Sequence, residues 1–135
     1  MRIGCALAVA AALGIAGCGE DDHANRDRPA ASINVTAAIA EGRIHISPRE
    51  FGAGPIRLIV SNQTTSAQEL TFETGDGAPG VTQTTAPISP DGTATLEVDP
   101  SEGDYEISTN DRGIEPRAVR VGAPRPSAQN ELLQP

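Results

Sequence analysis

The stretch Gln68-Glu69-Leu70-Thr71-Phe72-Glu73-Thr74 alternates between two kinds of side chain. Leu70 and Phe72 share one side with Gln68, whereas glutamate and threonine occupy the other side. Because successive side chains of a β-strand point to opposite faces, this period of two predicts a strand with one buried face. A strand of this kind needs a second layer of structure to cover its apolar face.

The same alternation recurs on both sides of this stretch, and no helical period persists for a dozen residues. Turn-forming residues separate the alternating runs, as in Pro90-Asp91-Gly92 and in the Gly-rich stretch 75–80, which predicts a flexible loop. The pattern predicts an all-β domain, an antiparallel Greek-key β-sandwich of about seven to eight strands. The predicted strands are 42–47, 56–62, 68–74, 93–98, 105–109 and 118–121, with a first strand at 33–39.

The first 17 residues differ in composition from the rest of the chain. Arg2 precedes an apolar, Ala-rich run at 5–15, which has the length of a signal-peptide core and about half the length that spans a bilayer. The run ends in Ile15-Ala16-Gly17-Cys18, and acidic residues follow at once. This order resembles the lipobox of bacterial lipoproteins.

The lipobox resemblance implies cleavage before Cys18 and a diacylglycerol on the Cys18 thiol. Several acyl chains hold a protein stably on a membrane, whereas one chain binds only marginally. We therefore expect a lipid-anchored protein at the cell membrane, with its polypeptide on the extracytoplasmic side. Cleavage also removes Cys5, so the mature chain is expected to have no free thiol for catalysis.

These assignments divide the chain into four parts. Residues 1–17 are the signal peptide, 18–32 the lipidated cysteine and a flexible tether, 33–122 the β-sandwich, and 123–135 a disordered tail. The formal net charge of the whole chain is -8, all ten basic side chains are arginine, and aromatic residues make up 2%. An acidic chain with so few stacking groups is a poor nucleic-acid binder.

The order of the predicted strands and turns resembles the cupredoxin-like family over residues 42–122. Gln68-Glu69-Leu70 stands where that family often has His-Glu-Leu, and Gly103-Asp104-Tyr105 resembles the segment that leads to its copper loop. The resemblance also rests on the strand-like stretches 44–51 and 54–62, and on the turn and strand at 88–96.

The same resemblance identifies the positions of the copper ligands, and the ligands are missing. A blue-copper site needs two imidazoles, a thiolate and a weak axial ligand. The first histidine position corresponds to Gln68 and the cysteine position to Thr109, while the loop 110–116 contains neither histidine nor methionine. We therefore expect no metal and no cofactor in this domain.

Polar residues remain at the end of the sandwich where relatives hold copper, and they form a candidate binding loop. Binding sites often lie on polar loops that a rigid scaffold positions, although an ordinary hydrated loop has the same composition. The candidate residues are Gln68, Thr109, Asn110, Asp111, Arg112 and Glu115.

The sequence thus predicts a non-enzymatic binding or accessory module at the cell envelope. Its expected partners are the membrane, through the lipid on Cys18, and another envelope protein or a small ligand. An alternative is a metal-handling protein with a nonstandard copper or redox site built from His45, His23 and carboxylates. A redox enzyme is a third hypothesis. The sequence also lacks the Gly-x-Ser-x-Gly motif that marks the nucleophile of many serine hydrolases.

Overall fold

The computed structural model of the protein describes residues 28–75 and 80–127. The described residues form nine β-strands: β1 (Ile33–Ala40), β2 (Arg43–Ser47), β3 (Glu50–Ala53), β4 (Ile56–Asn62), β5 (Leu70–Thr74), β6 (Thr82–Thr84), β7 (Thr93–Val98), β8 (Gly103–Thr109) and β9 (Arg117–Pro124). No helical segment in this part of the chain has the length and hydropathy needed to cross a bilayer. The predicted all-β class is confirmed.

The strands form two sheets, of four and five strands. The first has the order β2-β1-β4-β7 and the second the order β3-β9-β8-β5-β6. Two pairs, β1 with β4 and β3 with β9, are parallel, so the expectation of antiparallel sheets holds only for the other pairs. Between β1 and β4 the chain passes through β2 and then through β3, which belongs to the other sheet. The chain therefore returns to the first sheet in the direction of β1, and β4 pairs with β1 in parallel.

Two strands had no counterpart among the predicted ones. β6 has only exposed side chains, so it carries none of the apolar alternation from which strands were predicted. β3 contains Gly52 and pairs with β9 through an irregular register at Gly52 and Ala53. Glycine is depleted in strands, which weakens the sequence signal there.

The core lies between the two sheets and is built mainly from aliphatic side chains. Leu70 and Phe72 are buried, as their alternation predicts. Ile46, Ala94 and Leu96 are only partly buried, because they lie on the edge strands β2 and β7. The other fully buried aliphatic side chains are Val35, Ile39, Ile44, Ile56, Leu58, Val60, Ile107, Val119 and Val121.

Two aromatic side chains, Phe72 and Tyr105, pack against each other within this core. The rings of Phe72 and Tyr105 stack with their centroids 5.0 Å apart and their planes at 24°. The Tyr105 hydroxyl donates a hydrogen bond to the Ser101 carbonyl at 3.0 Å. Tyr105 therefore fastens the loop between β7 and β8 to the core, and a buried tyrosine hydroxyl has its required partner.

The C-terminal boundary of the domain lies beyond the predicted one. β9 runs to Pro124, and the Arg125 amide donates to the Ala53 carbonyl at 3.0 Å. Residues 123–125 thus belong to the fold, and the predicted disordered tail 123–135 begins too early. Residues 1–27, with the predicted signal peptide, Cys18 and most of the tether, lie outside the described residues, as do 76–79 and 128–135.

Candidate functional site

One end of the sandwich, here called the loop pole, consists of the turn 41–42 and the loops 63–69, 85–92 and 110–116. The strands β1, β4 and β8 end at this pole, and β2, β5 and β9 begin there. All six candidate residues lie on it or at its border. The Glu41-Gly42 turn is possible because Gly42 has a φ of 74°, which glycine adopts without a steric penalty.

Gln68 is the buried member of the candidate set. Only 1% of its surface is exposed, in agreement with its predicted position on the inward face. Its Nε2 donates to the Ser66 Oγ at 3.0 Å, but its Oε1 is buried and has no hydrogen-bond partner among the described residues. Such an acceptor lowers stability by about 1–3 kcal/mol, because it gives up its hydrogen bond to water.

Asn62, at the end of β4, organises the loop that leads to Gln68. It is fully buried, and its Nδ2 donates to the carbonyls of Ser66 at 2.7 Å and Ile88 at 2.8 Å. Its Oδ1 accepts from the amide of Thr64 at 3.0 Å and from the Thr64 Oγ1 at 2.8 Å. One side chain therefore satisfies four buried or half-buried groups and fixes the loop 63–69.

Asn62 is absent from the residues predicted for the site. The available signal was an asparagine at a strand end followed by a threonine two residues later, a pattern typical of an Asx turn. Its further partners, Ser66 and Ile88, are four and 26 residues away, respectively. Pairings over such separations have no local sequence signature.

Buried hydrogen bonds also fix the first residue of β5, Leu70. Thr85 is buried, and its Oγ1 accepts a hydrogen bond from the Leu70 amide at 3.0 Å. Its own amide donates to the Leu70 carbonyl at 2.9 Å. Thr85 thereby joins the loop 85–92 to the start of β5, next to Gln68.

Asn110 and Asp111 use their side chains to build the loop 110–116. The Asn110 Oδ1 accepts from the Glu69 amide at 2.8 Å, which joins this loop to the loop of Gln68. The Asp111 Oδ1 accepts from the Gly113 amide at 2.8 Å, and the Asp111 carbonyl accepts from the Ile114 amide at 3.1 Å. These contacts are those of turn-forming residues, and Ile114 is buried beneath the turn.

The remaining candidates lie nearer the surface. Thr109 is half-buried, and its Oγ1 donates to the Asp111 carbonyl at 3.2 Å. Arg112 and Glu115 are exposed, and the Glu115 amide donates to the Gly42 carbonyl at 3.1 Å. The structure therefore brings the six residues to one pole, while their role in binding stays a prediction.

A small cleft opens on the loop pole. Its volume is about 280 Å³, and Glu41, Thr64, Ser66 and Asp111 contribute to its lining. Carboxylates and hydroxyls dominate this set, so the cleft offers mainly hydrogen-bond acceptors and negative charge. Ser66 joins the cleft to the buried Gln68 through the bond described above.

The residues present do not fit a blue-copper centre. Gln68 offers an amide and Thr109 a hydroxyl, and neither replaces the imidazole or the thiolate that copper prefers. Among residues 28–75 and 80–127 no group of three or more His, Cys, Asp or Glu is placed to hold a metal ion. His45 is exposed on β2, opposite Ala38 of β1, while Cys18 and His23 lie outside the described residues.

No family model and no curated protein matches the sequence. Several solved structures are similar in fold. Reduced auracyanin from the photosynthetic bacterium Roseiflexus castenholzii is similar with a TM-score of 0.50 and 13% identity, over 70% of this chain and 99% of auracyanin. A reduced Cu(I) form of an amicyanin mutant is similar with a TM-score of 0.46 and 14% identity, over 64% of this chain and 79% of amicyanin.

The auracyanin comparison agrees with the resemblance read from the strand and turn pattern. At this low identity the similarity concerns the fold alone. The described chain is a β-sandwich with a cupredoxin-like fold.

Proposed function

We propose that the protein is a membrane-anchored, extracytoplasmic lipoprotein whose metal-free cupredoxin-like domain acts as a non-enzymatic binding or accessory module. Gln68 is the single observation that carries the metal-free part. Its amide is buried at the position that the cupredoxin resemblance assigns to the first ligand, and its Nε2 is bonded to Ser66. A buried amide that is bonded within its own loop supports a structural role for this position.

The loop pole is the surface proposed to meet the partner. Its loops are fixed to one another by the side chains of Asn62, Thr85 and Asn110, so its exposed groups are held in place before a partner arrives. A preformed surface loses less conformational entropy on binding than a mobile one. The exposed acidic residues Glu41, Asp111 and Glu115 favour a partner that offers hydrogen-bond donors or positive charge.

The anchor part of the proposal rests on the sequence around Cys18. Cells that express the full chain are labelled with radioactive palmitate, and the protein is then isolated. We expect the wild type to carry label and a Cys18→Ala variant to carry none. An unlabelled wild type would refute the anchor.

The binding part is tested by photo-crosslinking in cells. A photoreactive amino acid is placed at Ala67, which is exposed on the loop pole, or at Thr95, which is exposed on the outer face of β7. We expect a discrete adduct from position 67 that Glu115→Arg weakens and that Glu102→Arg, in the exposed loop between β7 and β8, leaves unchanged. Equal adducts from both positions, or equal effects of both glutamate variants, would contradict the proposal.

A further inference from the structure

The end of the sandwich opposite the loop pole is here called the termini pole, since both ends of the described chain meet there. β1 begins at this pole, where the Ile33 amide donates to the Pro55 carbonyl, and β9 ends there, where Ala53 pairs with Pro124. The loop between β7 and β8 belongs to the same pole, because the Pro100 carbonyl accepts from the Gly54 amide at 3.1 Å.

Arg125 binds the two chain ends together at the termini pole. Its guanidinium donates from Nε to the Gly52 carbonyl at 3.1 Å and from Nη2 to the Pro55 carbonyl at 2.6 Å. Its Nη1 donates to the Ala31 carbonyl, so the segment before β1 is fixed to the end of β9. A Cβ on Gly52 would lie 2.7 Å from the Arg125 Cγ, so this packing requires glycine.

The two poles are separated by the length of the strands. β8, which runs from the termini pole to the loop pole, has seven residues. At a rise of about 3.3 Å per residue it spans about 20 Å. Nine residues lie between Cys18 and Arg28, and the ten residue steps from one to the other span at most about 35 Å.

We propose that the termini pole faces the membrane and the loop pole points away from it, so that the partner-binding surface is presented to soluble molecules. This inference rests on the proposed lipid anchor at Cys18. The segment that joins the anchor enters the domain at the termini pole, so its length limits how far this pole can move from the bilayer. The loop pole is not limited in this way, and the termini pole therefore lies nearer to the bilayer on average.

The orientation is tested by energy transfer from the protein to the bilayer. The full-length protein is produced with its own N-terminal sequence and reconstituted in phosphatidylethanolamine–phosphatidylglycerol vesicles that contain an acceptor-labelled lipid. Three variants each carry one new thiol for a donor dye: Ser101→Cys at the termini pole, Thr95→Cys in the middle of β7, and Ala67→Cys at the loop pole. All three positions are exposed.

We expect the transfer efficiency to fall in the order Ser101→Cys, Thr95→Cys, Ala67→Cys. Equal efficiencies or the reverse order would overturn the orientation. Failure of the anchor has a different signature, because a wild type with a free Cys18 takes up dye and does not float with the vesicles. A wild type that floats and stays unlabelled shows that the anchor holds, and the three efficiencies then decide the orientation alone.

Discussion

The Nε2 of Gln68 donates to the Oγ of Ser66 at 3.0 Å, and this bond joins a buried side chain to the exposed surface of the loop pole. Ser66 is exposed, whereas Gln68 is not. The Gln68 Oε1, on the other side of the same amide, is buried and has no partner in the described part of the chain. The domain therefore buries a polar group whose acceptor atom has no partner among the described residues.

Replacing Gln68 tests this description. Gln68→Leu removes the unsatisfied oxygen and frees the Ser66 hydroxyl to bond water, so we expect the free energy of unfolding to rise by about 1 kcal/mol. Gln68→Glu places a carboxylate in the same buried position, and we expect it to lower that free energy by at least about 2 kcal/mol at neutral pH. Urea denaturation measures both. A clear loss of stability in Gln68→Leu would contradict the description of Oε1 as unpartnered.

Replacing Asn62 is expected to change the free energy of unfolding more than replacing Gln68 does. Asn62→Ala leaves two carbonyls and the groups of Thr64 without their partner, and we expect a loss of about 3–5 kcal/mol in the free energy of unfolding. Asn34, an exposed asparagine on β1, supplies the matched control, and Asn34→Ala is expected to change stability by less than about 0.5 kcal/mol. Similar losses in the two variants would argue against the network.

Arg125 tests the corrected end of the domain. Arg125→Ala removes three donors from backbone carbonyls, so we expect the free energy of unfolding to fall by about 2–3 kcal/mol. Arg117→Ala, at an exposed position at the other end of β9, is the control and is expected to have little effect. A chain that ends at Gly122 should lose at least as much stability as Arg125→Ala. If it were as stable as the full chain, residues 123–125 would not belong to the fold.

The hydroxyl of Tyr105 can be tested without disturbing the aromatic stack. Tyr105→Phe keeps the ring against Phe72 and removes only the hydrogen bond to the Ser101 carbonyl. We expect the free energy of unfolding to fall by about 1 kcal/mol, as is typical for one hydrogen bond. Thermal unfolding, monitored by circular dichroism, measures this loss. An unchanged midpoint would show that the hydroxyl contributes nothing to stability.

The central strands could be predicted from sequence because burial of one face leaves a period of two in the residues. Leu70 and Phe72 in β5 show this clearly, and the same parity placed Gln68 inside. The edge strand β6 escaped prediction because neither of its faces is buried. The parallel β1–β4 pair was not predicted either, since parallel pairing depends on the order of strands in space and leaves no local pattern.

The candidate site was predictable in its location and only in part in its chemistry. Gln68 just before β5 and Thr109 at the end of β8 are predicted to lie at one pole, and the structure confirms this, because Leu70 pairs with Thr109. The roles of Asn110 and Asp111 as loop builders follow from contacts with Glu69 and Gly113. The bond between Asn110 and Glu69 links residues 41 positions apart, which periodicity alone does not indicate.

The most direct test of the metal-free domain is a titration of the purified protein, lacking the first 18 residues, with Cu(I), Cu(II) and Zn(II). Calorimetry and visible absorption follow the binding, and His45→Ala and Gln68→Leu serve as variants. For a metal-free domain we expect no tight stoichiometric binding and no intense blue absorption with any of the ions. Stoichiometric binding that is lost in His45→Ala or in Gln68→Leu would contradict it.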